Sequence, residues 1–203
     1  MTIQNMESRI REALTERFDE SVSDDAELVN LGGHASLRIY WRISLPESMS
    51  ATPPRGESSL LAMVLPEDRT PGESEEGMSS NGEEPDELPF VNVQRYLDGI
   101  GVDVPAIDYE DMELGVLLLE DLGDETLEDA VRQIVTDLDA LPEKREQQVE
   151  DLYRDIVDVL VDFQEAVLRS KADEDFGNAE DCIAFKREFD EELPRWELDH
   201  YTE

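Results

Sequence analysis

Apolar residues recur with helical spacing at both ends of the chain and with strand-like spacing in the middle. Residues 2–18 and the chain from Asp124 onward repeat apolar side chains every three to four positions, which predicts helices. Shorter apolar runs bounded by turn residues predict strands at Glu27–Leu31, Leu37–Ile43 and Ser59–Leu65. The middle of the chain is therefore expected to build a sheet.

A short helix and a hairpin complete the predicted sheet. Phe90–Ile100 predicts the helix, and Ala106–Asp111 with Gly115–Glu120 predicts two paired strands. One side of this helix carries Phe90, Val93, Gln94 and Leu97. The order helix, three strands, helix, two strands and then helices is typical of an α+β fold. We expect a five-stranded antiparallel sheet with one helix against it, followed by a helical segment.

The helices after Asp124 carry two apolar stripes, and a further helix is predicted beyond them. The first stripe comprises Leu127, Val131, Ile134, Val135 and Leu138. The second comprises Val149, Leu152, Tyr153, Ile156, Val157, Leu160, Phe163 and Val167. The last helix carries Phe185, Phe189, Leu193 and Trp196. With a spacing of three to four residues, each set lies on one face of its helix.

Two segments show neither the helical nor the strand-like spacing of apolar residues. Residues 46–58 are rich in Pro and Ser, whereas residues 66–89 carry many Glu residues interrupted by Gly and Pro. Such a composition buries little apolar surface and cannot offset the entropy lost on ordering. Residues 66–89 are therefore predicted to be an acidic, disordered insertion.

The charge of the chain is strongly negative. Asp and Glu number 53 against 17 Lys and Arg, so the formal net charge is −36. This charge repels nucleic acid and anionic membranes, and neither is expected as a partner. Because the acids are spread along the whole chain, they favour a solvated coat of the kind found in proteins adapted to high salt. The alternative is an acidic surface that binds a basic partner.

Few residues are available for disulfides, metals or targeting. Cys182 is the single cysteine, and the histidines are His34 and His200, so the usual zinc ligand sets cannot be assembled. The sequence contains neither a secretory signal nor an apolar run of the roughly 20 residues that span a bilayer. These features together favour a cytoplasmic protein.

The stretch VLLLEDLG, residues 116–123, places two carboxylates directly after an apolar strand. A Walker B strand ends in this way but requires a P-loop lysine, and the first lysine of the chain is Lys144. A hydrolase triad would need a G-x-S-x-G elbow, which the sequence lacks. A hinge that binds nucleotide and a strand that simply ends at the surface remain open.

The segment LGGHASLRIYWRI places a glycine turn between two strands. Alternation puts Leu37, Ile39, Trp41 and Ile43 on one face and Arg38, Tyr40 and Arg42 on the other. Glycines allow a turn to approach a ligand closely and to offer backbone N–H groups to phosphate. An ordinary Gly-Gly hairpin explains the same residues, so the local pattern leaves both interpretations open.

Three stretches in series resemble the aminoglycoside phosphotransferase/choline-kinase-like family. They are LGGHASLRIYWRI, PFVNVQRYLDGIGVDVPAI and GVLLLEDLGDETLEDAV. The later stretches DLYRDIVDVLVDFQ and FKREFDEELPRWELDHY resemble its bacterial branch that phosphorylates the cell-wall amino sugars N-acetylmuramate and N-acetylglucosamine. The resemblance begins near residue 25 and implies a kinase-like N-lobe at 25–123 and part of a helical C-lobe at 124–203. The predicted N-terminal helix and its connection, at 1–24, precede it.

The resemblance also implies site residues for ATP, which this family uses with Mg²⁺. The hairpin that would cover the phosphates comprises Gly32, Gly33, His34, Ala35 and Ser36. The hinge between the lobes would comprise Glu120, Asp121, Leu122 and Gly123. There, the carbonyl of Glu120 and the N–H of Leu122 would pair with adenine. Either Leu117 and Leu119, or Leu118, would floor the adenine pocket, depending on the register.

The phosphate-binding lysine and its glutamate partner are not found at their usual places. Met63 stands on the third strand where kinase-like enzymes usually carry the lysine, and Arg95 stands near the position of the glutamate. The amino-sugar branch also lacks this lysine. Arg38 or Arg42 is expected to supply the positive charge, in which case replacing Arg42 by alanine weakens ATP binding. Alternatively, both arginines pair with surface carboxylates.

The sequence contains no catalytic loop of the type H-x-D-x-x-x-x-N, since His34 precedes Ala-Ser and His200 precedes Tyr-Thr. No catalytic residue or metal ligand is therefore assigned. We expect a truncated or incomplete sugar kinase, inactive as an isolated chain, with its C-terminal portion encoded downstream. An unfinished lobe would expose the apolar stripes and lower solubility. The alternative is a non-catalytic acidic remnant that binds nucleotide or protein; the acceptor sugar stays open.

Overall fold

The computed structural model describes residues 2–32, 38–47, 58–66, 87–173, 179–186 and 195. The chain begins with the predicted helix, α1, at Ile3–Arg17. Its N-cap is Thr2, whose hydroxyl oxygen accepts a hydrogen bond from the Asn5 N–H at 3.3 Å. The buried side of α1 carries Met6, Ile10, Ala13 and Leu14. The predicted helix over residues 2–18 is thereby confirmed.

A short second helix was not predicted. This helix, α2, spans Glu20–Asp25 and follows the N-cap Asp19. The Asp19 carboxylate accepts hydrogen bonds from the Ser21 hydroxyl and the Val22 N–H, and these bonds hold the pKa of Asp19 below its usual value. The helix has only six residues, too few for apolar periodicity to be visible. Only its capping residue marks it in the sequence.

The five strands form the sheet expected from their order. They are β1 at Glu27–Gly32, β2 at Ile39–Ser44, β3 at Ser59–Val64, β4 at Ile107–Asp111 and β5 at Val116–Glu120. The strand order is β1-β2-β3-β5-β4, and every neighbouring pair is antiparallel. The predicted α+β arrangement with a five-stranded antiparallel sheet is confirmed.

The sheet is covered on both faces. On one face, α1 packs over Trp41, Ile43, Ala62 and Leu118, all of which are buried. On the other, Met63, Leu117 and Leu119 pack with Val91, and Tyr40 joins them partly buried. The predicted alternation of β2 is confirmed at Trp41 and Ile43, whose face is the α1 face.

Two arginines fasten α1 to the sheet. The Arg17 guanidinium bonds both carboxylate oxygens of Asp108 at 2.9 Å, and the Asp108 side chain is only 1% exposed. The Arg9 guanidinium donates to the main-chain carbonyls of Leu65, Leu114 and Gly115, which lie at the end of β3 and in the β4–β5 turn. Charge-assisted bonds of this kind hold α1 against the sheet.

The helix after the third strand, α3, spans Pro89–Gly99, close to its predicted bounds. Val91 is its buried residue, and Phe90 packs partly buried against the same cluster. The predicted side, with Phe90, Val93, Gln94 and Leu97, did not include Val91. The contact with Met63 and Leu117 selects Val91, and helical spacing cannot supply a contact between elements distant in sequence.

Two helices follow β5. They are α4 at Leu127–Thr136 and α5 at Pro142–Ala172. Thr126 and Asp129 form a reciprocal capping box at the start of α4, and the bonds from Thr126 lower the pKa of Asp129. Leu138 lies beyond the end of α4 and is exposed, so its predicted place in the first stripe is wrong.

The predicted stripe of α5 is divided between a covered and an exposed side. Val149, Leu152, Ile156 and Val167 are half-buried, and Ala166 and Ser170 are buried. Tyr153, Val157, Leu160 and Phe163 are exposed. Exposure of apolar residues along α5 agrees with the expectation for the second stripe.

Several predictions fall on residues that the structure does not describe. They concern the acidic insertion, of which 67–86 lie outside the described residues, and most of the Pro/Ser-rich segment, at 48–57. Of the apolar positions of the last predicted helix, Phe185 is described and ends a 3₁₀ turn at Ile183–Phe185, which follows another at Ala179–Asp181. The remaining apolar positions of that helix, Phe189, Leu193 and Trp196, lie outside the described residues.

The chain divides into two compact units. The first contains Met1–Gln94, Val104–Asp121 and Ile183–Glu203, and the second contains Arg95–Asp103 and Leu122–Cys182. The sheet with α1 and α2 belongs to the first unit, whereas α4 and α5 belong to the second. One crossing from the first unit to the second falls between Asp121 and Leu122.

Candidate functional site

The end of β5 places Glu120 and Asp121 at the edge of the α+β unit. Cross-strand partners share a face of the sheet, and Arg42, Leu61 and Leu119 form one such row. Glu120 pairs with Leu60 and therefore faces the opposite side, toward α1. The sheet register thus separates the Glu120 side chain from the face that carries Arg42.

Asp121 is held by two side chains from neighbouring strands. Its Oδ2 accepts hydrogen bonds from Arg42 Nε at 2.7 Å and from Ser59 Oγ at 2.9 Å, and its Oδ1 accepts from an Arg42 terminal nitrogen at 3.1 Å. The side chains of Asp121 and Arg42 are 5% and 22% exposed, so the pair is largely shielded from water. We call Arg42, Ser59 and Asp121 the carboxylate clamp.

Glu120 is tied to the sheet independently of the clamp. Its N–H donates to the Ala106 carbonyl at 2.9 Å, and one of its carboxylate oxygens accepts from the Ala106 N–H at 3.0 Å. These two bonds extend the β4–β5 pairing beyond Ile107, the first residue of β4. Both carboxylates that follow the apolar strand thus take part in holding the backbone.

The residues after Asp121 leave the sheet. Leu122 is 68% exposed, and Gly123 has a φ of 79°, a left-handed conformation that favours glycine. The chain turns here between the strand and the segment that leads to α4. An exposed residue thus directly follows the braced end of the strand.

The face that carries Arg42 is lined by apolar residues. Leu117 and Leu119 lie on this face with Met63, whereas Leu118 lies on the α1 face. Of the two registers left open by the sequence, the structure selects Leu117 and Leu119 for this side. Met63, at the third-strand position of the usual kinase lysine, is buried here and accepts a hydrogen bond from the Tyr40 hydroxyl at 3.4 Å.

The predicted phosphate hairpin is described at its first residue. Gly32 ends β1 with a φ of 82°, and its N–H donates to the Asn30 side-chain oxygen at 2.6 Å. The pairing with β2 is irregular between Asn30 and Gly32. Gly33, His34, Ala35 and Ser36 lie outside the described residues. A left-handed glycine at this point agrees with a turn, and the phosphate role stays a prediction.

Arg38 and Arg42 have different surroundings on their shared face. The Arg38 guanidinium lies 5.6 Å from the centre of the Phe90 ring, within the range of a cation–π contact. Arg42 pairs with Asp121, a buried carboxylate rather than a surface one. The proposed contribution of Arg42 to nucleotide binding therefore involves the strand end.

Two partners of the candidate hinge were missed by sequence reasoning. Ser59 and Ala106 carried no motif, because a serine at the start of a strand and an alanine after proline are ordinary residues. Both are brought to the strand end by cross-strand pairing, Ser59 through β3 and Ala106 through the extension of β4. Only the sheet register reveals them.

Metal-ligand groups and membrane-spanning helices are both absent from the residues that the structure describes. Where the structure describes the chain, no group of three His, Cys, Asp or Glu side chains could hold a metal ion. Within the same residues, every helix is too short or too polar to cross a membrane. The site described here is suited to binding, and we assign it no reacting group.

The chain is similar in sequence to a sugar kinase. An N-acetylmuramate/N-acetylglucosamine kinase of Pseudomonas aeruginosa is 35% identical over 150 residues, which cover 71% of this chain and 35% of that kinase. The chain thus spans about a third of the length of this curated relative. No protein-family model and no solved structure match the chain. The similarity supports a relationship to sugar kinases.

Proposed function

We propose that this chain carries the nucleotide-binding part of an ATP-dependent kinase of a sugar or amino sugar, within the aminoglycoside phosphotransferase-like family. The observation that carries the proposal is the 35% identity to an N-acetylmuramate/N-acetylglucosamine kinase, which extends over 71% of this chain. The antiparallel sheet with α3 against one face supports the interpretation of the first unit as a kinase-like N-lobe.

The adenine site is proposed at the end of β5. In this proposal the Glu120 carbonyl accepts from the adenine amino group and the Leu122 N–H donates to the ring, while Leu117 and Leu119 lie beneath the base. The exposure of Leu122 and the position of Leu117 and Leu119 on the face that carries Arg42 support this arrangement.

The phosphates of ATP are proposed to bind at the glycine turn after β1. Gly32 to Ser36 would cover the phosphates, as backbone N–H groups in a glycine turn can bind anions. Mg²⁺ would neutralise the phosphate charge in such a reaction. We assign no metal ligand and no catalytic residue to this chain, and the sugar hydroxyl would be phosphorylated by groups not identified here.

Mg-ATP is expected to raise the melting temperature of the chain. A ligand present at about 100 times its Kd stabilises the native state by about 2.7 kcal/mol. For a chain of this size, that corresponds to a rise of about 5–10 °C. The measurement is a calorimetric or fluorescence melt with and without millimolar Mg-ATP, with inorganic tripolyphosphate and Mg²⁺ as the reference for simple anion binding.

A pair of variants at Leu122 distinguishes hinge binding from binding elsewhere. Leu122→Pro removes the main-chain N–H and is expected to abolish the ATP-dependent rise. Leu122→Ala retains the N–H and should keep it. Each rise is measured from the melting temperature of the same variant without nucleotide, so a loss of stability does not enter the comparison. An equal rise in both variants would contradict the hinge, and no rise in the unmodified chain would favour a non-catalytic acidic interaction protein.

A further inference from the structure

The carboxylate clamp and the bonds between Glu120 and Ala106 hold the same peptide from two sides. Asp121 is drawn toward β2 and β3 on the face of Arg42, whereas the Glu120 side chain is held on the α1 face by the start of β4. Because the two residues are adjacent, the direction of the Glu120 carbonyl and of the following N–H groups depends on both attachments.

This bracing affects the binding of a ligand that is recognised by main-chain atoms. Adenine offers an amino donor beside a ring acceptor, whereas guanine offers a carbonyl acceptor at the corresponding position. The Glu120 carbonyl can accept from the amino group of adenine, and the Leu122 N–H can donate to its ring acceptor. The same carbonyl would face the carbonyl acceptor of guanine. The match persists only if the backbone cannot rotate to present the opposite groups, because unpaired polar groups are what reject the wrong base.

The geometry of the clamp is suited to this restraint. Arg42 engages both oxygens of Asp121, and a bidentate guanidinium–carboxylate pair restricts orientation as well as distance. Ser59 adds a third bond from a different strand. The Asp121 side chain is 5% exposed, so water competes weakly for its oxygens.

We infer that the carboxylate clamp positions the hinge peptide and thereby determines a preference for adenine over guanine nucleotides. The inference rests on the proposed function, since it assumes a nucleotide at the end of β5. In this view Arg42, Ser59 and Asp121 are positioning residues that act through the backbone. The two carboxylates of the VLLLED strand hold the site and do not touch the nucleotide.

The test is the ratio of the Kd values for Mg-GTP and Mg-ATP, measured by isothermal titration calorimetry on the whole chain. Two mismatched hydrogen bonds predict that the unmodified chain prefers ATP by roughly tenfold or more. Asp121→Asn should lower this preference by about three- to tenfold. Arg42→Lys keeps the charge but loses the bidentate pair, and should lower the preference by a smaller factor.

The ratio separates positioning from stability. Partial unfolding weakens the apparent binding of both nucleotides by the same factor, so it cancels. The matched control is Asp108→Asn, which breaks the other shielded arginine–carboxylate pair, Arg17 with Asp108, away from the hinge. This variant should lose stability and keep the preference. If Asp121→Asn does not fold, Arg42→Lys provides the measurement.

Each outcome decides the inference. A reduced ATP preference in the clamp variants with an unchanged preference in Asp108→Asn supports it. An unchanged preference in the clamp variants, an equal reduction in the control, or no base preference in the unmodified chain overturns it while nucleotide binding stands. If the unmodified chain binds neither nucleotide, the proposed function is wrong and the inference falls with it.

Discussion

Leu118→Ala is expected to destabilise the first unit by about 2–5 kcal/mol, the usual cost of truncating a fully buried leucine. Leu118 is 0% exposed and lies in the central part of the sheet between its cross-strand partners Ala62 and Tyr109. Trp41 lies next along the same row. Alanine would leave a cavity that the paired strands cannot close, because backbone hydrogen bonds keep their spacing. The measurement is chemical denaturation followed by circular dichroism.

The control for this prediction is Leu160→Ala on α5. Leu160 is 54% exposed, so its truncation removes little buried area and should change the free energy of unfolding by at most about 0.5 kcal/mol. Both substitutions remove the same atoms. An equal cost at the two positions would contradict the difference in burial and would mean that α5 is covered in solution. A cost under about 1 kcal/mol at Leu118 would contradict the described core.

Potassium chloride is expected to stabilise the chain strongly. With a net charge of −36 on 203 residues, like charges repel one another in the compact state more than in the extended one. Raising the salt from 0.1 to 1 M shortens the Debye length from about 10 Å to about 3 Å. We expect a gain of at least about 2 kcal/mol, or roughly 4–8 °C in melting temperature.

A variant of α5 tests whether charge screening causes this gain. Four acidic residues on α5 lie between Arg154 and Arg169 with no basic residue among them: Asp155, Asp158, Asp162 and Glu165. Their side chains are exposed. Replacing them by Asn, Asn, Asn and Gln should stabilise the chain at low salt and reduce its response to potassium chloride. An identical salt response in this variant, or indifference of the unmodified chain to salt, would contradict the repulsion argument.

The elements that could be predicted are those long enough for the spacing of their apolar residues to be visible. The strands of the sheet and α1 are recognisable from apolar spacing, and the antiparallel pairing of β4 with β5 follows from the short turn between them. The helix α2 was not predicted because six residues are too few to show apolar periodicity. The burial of Val91 on α3 was not predicted, because it depends on contacts with Met63 and Leu117 on distant strands.

The candidate site follows the same division. Sequence reasoning identified Glu120 and Asp121 as the end of an apolar strand and, by the resemblance to the kinase family, as part of a hinge. It named Arg42 but expected it near phosphate or a surface acid. Its partner in the structure is Asp121, 79 positions away in the chain. Ser59 and Ala106, which complete the bracing, had no signal at all.

The sequence by itself determined the order of the strands and of the longer helices, the α+β class, the alternation of β2 and the excess of negative charge, because each depends on residues close together in the chain or on composition alone. The tertiary structure alone decided which carboxylates are buried and which side chains hold them. Those choices depend on the register between β2, β3 and β5, where backbone pairing brings distant residues within hydrogen-bonding distance. The contacts of the two acids after the apolar strand are therefore set by pairing across the sheet.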